Sequence, residues 1–243
     1  MASDHETHGE TTADPESDRL YFRQLLSGRD FAVGNDLASQ MVNFVYVIGD
    51  RVTRECLLVD PAYAVDDLLE VVAADDMEVT GVLATHYHPD HVGGSMMGFE
   101  IEGVSSLLER VACPIHIQRD ELPWITRTTG VAESEMIAHE PGDVVMVGEI
   151  AVELVHTPGH TPGSQCFLVD GRLVAGDTLF LDGCGRTDLP GSDAAAMEHS
   201  LRRLAKVADD VVLYPGHRYS IASSAPMAAV KESNWVLQNL LGD

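Results

Sequence analysis

The chain has 243 residues, 45% of them hydrophobic and 22% charged, which is enough for one large buried core. Its 39 acids against 15 Lys and Arg leave a net charge of −24, with Lys206 and Lys231 the only lysines, and a field this negative argues against nucleic acid or anionic lipid as partners. No apolar run reaches the length of a membrane span, and Cys56, Cys113, Cys166 and Cys184 form no C-x-x-C pair, so structural disulfides are not expected.

The opening "MASDHETHGETTADPESDR" (1–19) is acidic and lacks the basic and apolar segments of a secretory signal. It reads as a disordered tail of a cytoplasmic protein, with residues 20–243 as a single domain. "MVNFVYVIGD" (41–50) and "RVTRECLLVD" (51–60) read as a hairpin of half-buried strands. "DDLLEVVAA" (66–74) has helical periodicity, and "VTGVLATH" (79–86) is a strand ending at a histidine. From about 93 to 130 lies an insert with a helical candidate at 104–111 and a strand candidate at 114–117. It carries Met96, Met97, Phe99 and Trp124, which suit a packed insert or a lid over a pocket. A second β-rich half follows at 144–147, 151–156, 165–170 and 173–177. A helix at 193–207 has Asp193 as its N-cap, 211–217 is a last strand, and another helix starts near Ser223. Two groups of strands, each followed by helices, suit two sheets packed face to face with helices outside, a four-layer α/β/β/α sandwich.

Every histidine-rich motif falls just after a strand. The four segments are "THYHPDH" (85–91), "HTPGHTPGS" (156–164), "VAGDTLF" (174–180) and "YPGH" (214–217). Alternate residues of an extended turn can point the same way, so His86 and His88 can bind one ion while Asp90 and His91 face a neighbouring site. A carboxylate from another loop, with Asp177 the candidate, could bridge the two. Two ions ~3.5–4 Å apart can share one hydroxide and polarise a carbonyl beside it. Mixed His/Asp ligation without thiolate suits zinc, iron or manganese and does not choose among them; two divalent ions, zinc before iron or manganese, are the expectation. His5 and His8 lie in the tail, and His116, His139 and His199 stand alone as surface or structural residues.

With these motifs the sequence resembles the metallo-β-lactamase superfamily, and within it the glyoxalase II-like (hydroxyacylglutathione) hydrolases, over about residues 41–220. The resemblance implies a metallo-β-lactamase-like αββα fold for the domain. It further implies a first ion on His86, His88 and His160, a second on Asp90, His91 and His217, and Asp177 bridging. Asp90 would also orient the hydroxide, and Asp60, ending "LLVDPA", would steady the ligand loop. In "HTPGH" the resemblance leaves His156 out. Cys184 in "GCGRTDLP" (183–190) reads as structural, whereas Arg186 of that loop would hold the anionic end of a thiol and Tyr219 would touch substrate.

The expected activity is metal-dependent hydrolysis of a small acyl-thiol ester, with no side-chain nucleophile. The alternative is a persulfide dioxygenase-like oxidoreductase with one iron on His86, His160 and Asp177, a branch that shares the GCGRTD loop. A lactonase or β-lactamase activity comes third. The chain ends at Asp243, sooner than the C-terminal helical domain of full-length glyoxalase II would require.

Overall fold

A computed structural model describes residues 19–242; the stretch 1–18, read above as a tail, lies outside the described residues. Arg19, counted with that stretch, pairs with Asp50 at 2.8 Å and Glu149 at 2.6 Å. In chain order, β1 (Leu20–Leu26) and α1 (Asp36–Met41) precede the hairpin β2 (Phe44–Asp50) and β3 (Glu55–Val59). Next come α2 (Val65–Ala74), β4 (Glu78–Leu83), the short α3 (Pro89–Val92), and a small hairpin of β5 (Gly94–Met96) and β6 (Phe99–Ile101). They lead through α4 (Val104–Leu108), β7 (Ile115–Gln118) and α5 (Leu122–Thr129) to β8 (Met136–His139). The second half runs β9 (Val144–Val147), β10 (Ile150–His156), β11 (Gln165–Val169), β12 (Arg172–Val174), α6 (Ala194–Leu204) and β13 (Val212–Tyr214). It closes with β14 (Ala225–Pro226), α7 (Met227–Ser233) and α8 (Trp235–Gly242).

Among the described residues these strands make two six-stranded sheets, ordered β1-β2-β3-β4-β7-β8 and β14-β13-β12-β11-β10-β9. Period-two alternation explains how the sheets stack. Phe44, Tyr46 and Ile48 of β2 point between the sheets, where they meet Val152, Leu154 and Phe167. Val45 and Val47 point the other way, into a cluster with Leu68 and Val72 of α2. The outer face of the second sheet packs Cys166, Leu173 and Leu213 against Met197, Leu201 and Leu204 of α6. Because β2 is buried on both faces it reads as a continuous apolar run, and each fully buried large side chain contributes about 1.5–3 kcal/mol. The result is the four-layer α/β/β/α sandwich.

Three features add detail to the sequence-based expectation. β1, for which the sequence carries no clear strand pattern, is the edge strand of the first sheet and pairs along its whole length with β2. Within the stretch 93–130 the expected strand at 114–117 forms as β7, which is hydrogen-bonded between β4 and β8 in the first sheet. The last helix is broken at Asn234, whose Oδ1 accepts from Val236 and Leu237 while its Nδ2 donates to the carbonyls of Phe180 and Gly183.

The loops after β3, β4, β10, β12 and β13 converge at one edge of the sandwich. Contacts between the sheets lock that edge: Phe44 N donates to Gly216 O at 2.8 Å and Gln165 N to Thr85 O at 3.0 Å.

Candidate metal centre

The chain leaves β3 at Asp60, whose φ of +53° turns the carboxylate back under the loop that follows β4. Its Oδ1 accepts from Thr85 N at 2.7 Å, and its Oδ2 accepts from Thr85 Oγ1 at 2.6 Å and His91 Nδ1 at 2.9 Å. That loop then enters α3 with Pro89 at its first position, where the missing N–H costs nothing. The turn brings Asp90 and His91 round to face the segment after β13.

Two three-residue groups result: His86, His88 and His160, and beside them Asp90, His91 and His217. Within each group the ligand-type atoms lie within 4.8 Å of one another. His160 Nε2 is 3.0 Å from His88 Nδ1, and His91 Nε2 is 3.1 Å from His217 Nε2. Asp177 lies between the groups, 3.4 Å from His91, 3.3 Å from His217 and 3.8 Å from His160. The ligand-type atoms of Asp60, His86 and His91 also lie within 4.8 Å of one another, but the Asp60 oxygens are already occupied by Thr85 and His91.

The outer nitrogens of four histidines are held by acceptors. His91 Nδ1 donates to Asp60, His160 Nδ1 to Arg186 O at 2.8 Å, His217 Nδ1 to Met41 O at 2.8 Å, and His86 Nδ1 to Thr85 Oγ1 at 2.9 Å. Each bond favours the neutral tautomer with the proton on Nδ1 and so aims Nε2 inward, the usual arrangement of metal-binding imidazoles. His86 Nε2 and Asp177 Oδ1 are buried and find no hydrogen-bond partner among the described residues. Orphaned acceptors of this kind are costly unless a cation completes them. The donor set therefore fits divalent metal. Burial and the surrounding imidazoles push His86 well below the usual histidine range, and burial followed by His160 pushes His88 down to about 4, so both keep free lone pairs. Burial opposes ionisation of Asp177, but His217 and His91 beside it outweigh that and hold its carboxyl well below the usual range.

Several supports carry no mark in the sequence. Asn43 Nδ2 donates to Asp90 Oδ2 at 3.1 Å, and Tyr63 OH donates to Asn43 Oδ1 at 3.0 Å. Glu121, 1% exposed, accepts from Tyr87 N through Oε1 and from Gly163 N through Oε2, both at 2.7 Å. It thus ties the loop carrying His86 and His88 to the loop carrying His160. Burial pushes its carboxyl up to about 7 against the pull of those amides. Gly185 has a steric reason: a β-carbon there would lie 1.9 Å from Asp177 O and 3.0 Å from His160 Nδ1.

The remaining candidates sit around the centre. Arg186 meets it through its backbone carbonyl, while its exposed guanidinium is paired with Asp188 at 2.7 and 2.8 Å. Tyr219 is half-exposed and stacks on His217, with centroids 4.8 Å apart and planes at 5°. His156 bonds to Pro162 O at 3.0 Å and belongs to neither group. Cys184 lines the pocket half-buried, its thiol pushed up by burial. His116 and His139 do not stand alone: they stack with Nδ1 and Nε2 2.9 Å apart, and His139 reaches Asp143 at 3.3 Å.

This sandwich carries a histidine and aspartate centre of metal-binding type at its edge, and the chain belongs to the metallo-beta-lactamase superfamily, whose family model matches residues 40–217. It is 34% identical over 205 residues to a hydroxyacylglutathione hydrolase of Aeromonas hydrophila, covering 82% of this chain and 70% of that one. It is 29% identical over 198 residues to a probable polyketide biosynthesis zinc-dependent hydrolase, BaeB, of Bacillus velezensis, covering 81% and 82% of the two chains. The crystal structure of ETHE1 from Myxococcus xanthus superposes with a TM-score of 0.71 at 30% identity, over 90% of this chain and 85% of that one. No helix among the described residues is long and apolar enough to cross a membrane.

Proposed function

We propose that the protein is a dinuclear metal-dependent hydrolase of acyl-thiol esters. His86, His88 and His160 would hold one ion and Asp90, His91 and His217 the other, with Asp177 between them and zinc the first candidate metal. The observation that carries this reading is the completeness of both groups side by side, with Asp177 within 3.8 Å of a histidine in each. Two such ions, when bound, lower the pKa of a shared water and stabilise negative charge growing on a carbonyl oxygen.

The chain's own residues prepare that chemistry. Asn43, itself fixed by Tyr63, holds the Asp90 carboxylate toward His91 and His217. Asp60 and the carbonyls of Met41 and Arg186 keep the histidines in one tautomer, so no reorganisation is needed as charge develops. Tyr219 and Arg186 flank the pocket as substrate contacts.

A second reading, an oxygenase with one iron on His86, His160 and Asp177, is favoured by the likeness to ETHE1. Thiol release from a thioester under anaerobic conditions by the zinc-loaded protein separates the two. The proposal expects turnover without oxygen. Turnover of a persulfide that consumes oxygen and requires iron, with thioesters untouched, would overturn it.

Glu121 gives a further expected outcome. Glu121→Gln replaces two acceptor oxygens with one, so one loop loses its tie and an amide N–H faces another N–H. Affinity for metal at the His86–His88–His160 group should fall about 10–100-fold, as is typical of lost outer hydrogen bonds. Chelator competition with the folded variant measures it, and the other group should be the less affected.

A further inference from the structure

The pocket over the centre encloses about 600 Å³, and apart from the ligand groups its walls are mainly Met41, Met96, Met97, Phe180, Leu189 and Tyr219. A short polar acyl group would leave most of this apolar surface against water, where it gains nothing from burial.

Met97 is the most informative of these residues. β5 and β6 pair Met96 with Phe99, so Met97 and Gly98 form a two-residue turn. Their φ angles are +52° and +85°, the type I′ pattern that favours Asn, Asp or Gly at both positions. A methionine there opposes the local backbone preference. Core packing does not explain it, because Met97 is 84% exposed and Phe99, beside Met96 on the hairpin, is 57% exposed. In a chain of net charge −24, this places an apolar rim at the mouth of the pocket. The charged side chains of the lining outside the ligand groups are Asp182 and Arg186, and Asp188 pairs with Arg186. Nothing there concentrates positive charge for a multiply anionic arm.

We infer that the site takes thioesters whose acyl group is an extended apolar chain, walled by Met96, Met97, Phe180 and Tyr219. This rests on the thioester reading above. The apolar arm is the acyl one because biological thiols carry amides close to their sulfur, whereas long hydrocarbon lies on the acyl side. Methionine suits chains of varied shape, being unbranched and polarisable. Hydrolysis adds water across the C–S bond and yields the carboxylic acid and the free thiol.

The test is kcat/KM for zinc-loaded protein on S-acyl-N-acetylcysteamine thioesters from acetyl to decanoyl. The rate constant should rise roughly fourfold for each methylene buried, chiefly through KM. Met96→Ser/Met97→Ser should lower the decanoyl-to-acetyl ratio at least about tenfold, since several methylenes lose their wall. Met146→Ser, on the exposed face of β9, should leave the ratio unchanged. A flat series, or a preference for S-lactoylglutathione over the octanoyl ester, would overturn the inference. The unreactive thioether S-decyl-N-acetylcysteamine separates the two levels. If no thioester is cleaved but the wild-type protein binds the thioether, and the double variant binds it more weakly, the apolar site stands and the thioester reading falls. If the acetyl ester is cleaved briskly but the thioether does not bind, the thioester reading stands and the apolar site falls.

Discussion

Asp90→Ala is expected to bind one ion per chain and to lose roughly 10³-fold in kcat/KM for thioester hydrolysis. That is about 4 kcal/mol of transition-state stabilisation at 1.36 kcal/mol per tenfold, the scale of a lost metal contribution. Asp90 is 6% exposed and sits 3.5 Å from His91 Nε2 and 3.4 Å from His217 Nε2. Removing it leaves Asp177, which already faces the other group, as the carboxylate beside their inward-facing Nε2 atoms, Asp60 being taken up by His91 Nδ1. The His86–His88–His160 group keeps all its members, so the variant should stay folded and hold its first ion. An oxygenase built on His86, His160 and Asp177 would keep its iron and much of its turnover. Thioester hydrolysis at the parental rate in this variant would sink the two-ion mechanism.

Asp60→Asn tests the frame beneath the centre. The backbone effect should be small, because asparagine tolerates the left-handed φ of +53° at this position. The amide oxygen can still accept from Thr85 N, but the new NH2 group faces Thr85 Oγ1 and His91 Nδ1. His91 can accept from it only by moving its proton to Nε2, which removes the lone pair aimed inward. Metal affinity at the Asp90–His91–His217 group should therefore drop about 10–100-fold. Buried donors left unmatched should cost about 1–3 kcal/mol of stability as well. The nitrogen chemical shifts of His91 read the tautomer directly. An unchanged tautomer with unchanged metal affinity would show that Asp60 does not set the ligand.

Much of the centre is legible in the sequence because its residues announce themselves locally. His86, His88, Asp90 and His91 lie within six positions after an apolar strand, and His160, Asp177 and His217 each follow another. The supports are hidden for a different reason. Asn43, Tyr63 and Glu121 act through contacts 47, 20 and 34 residues away in sequence, and nothing beside them marks that role. Arg186 reaches His160 with a backbone carbonyl, which no side-chain pattern can encode. β1, "LYFRQLL", mixes Arg and Gln with apolar residues because it is an edge strand, so its alternation is weak. The break at Asn234 does carry a signal, an N-cap residue just ahead of the apolar run "WVL".

Whether two ions share this site is decided by counting metal in protein purified without chelators. Two coordinating groups joined through Asp177 should retain close to two ions per chain, zinc or a mixed pair, falling to one in Asp90→Ala. A single iron per chain, unchanged by that substitution, would mean that the second group holds no ion and that the two-ion hydrolase is wrong.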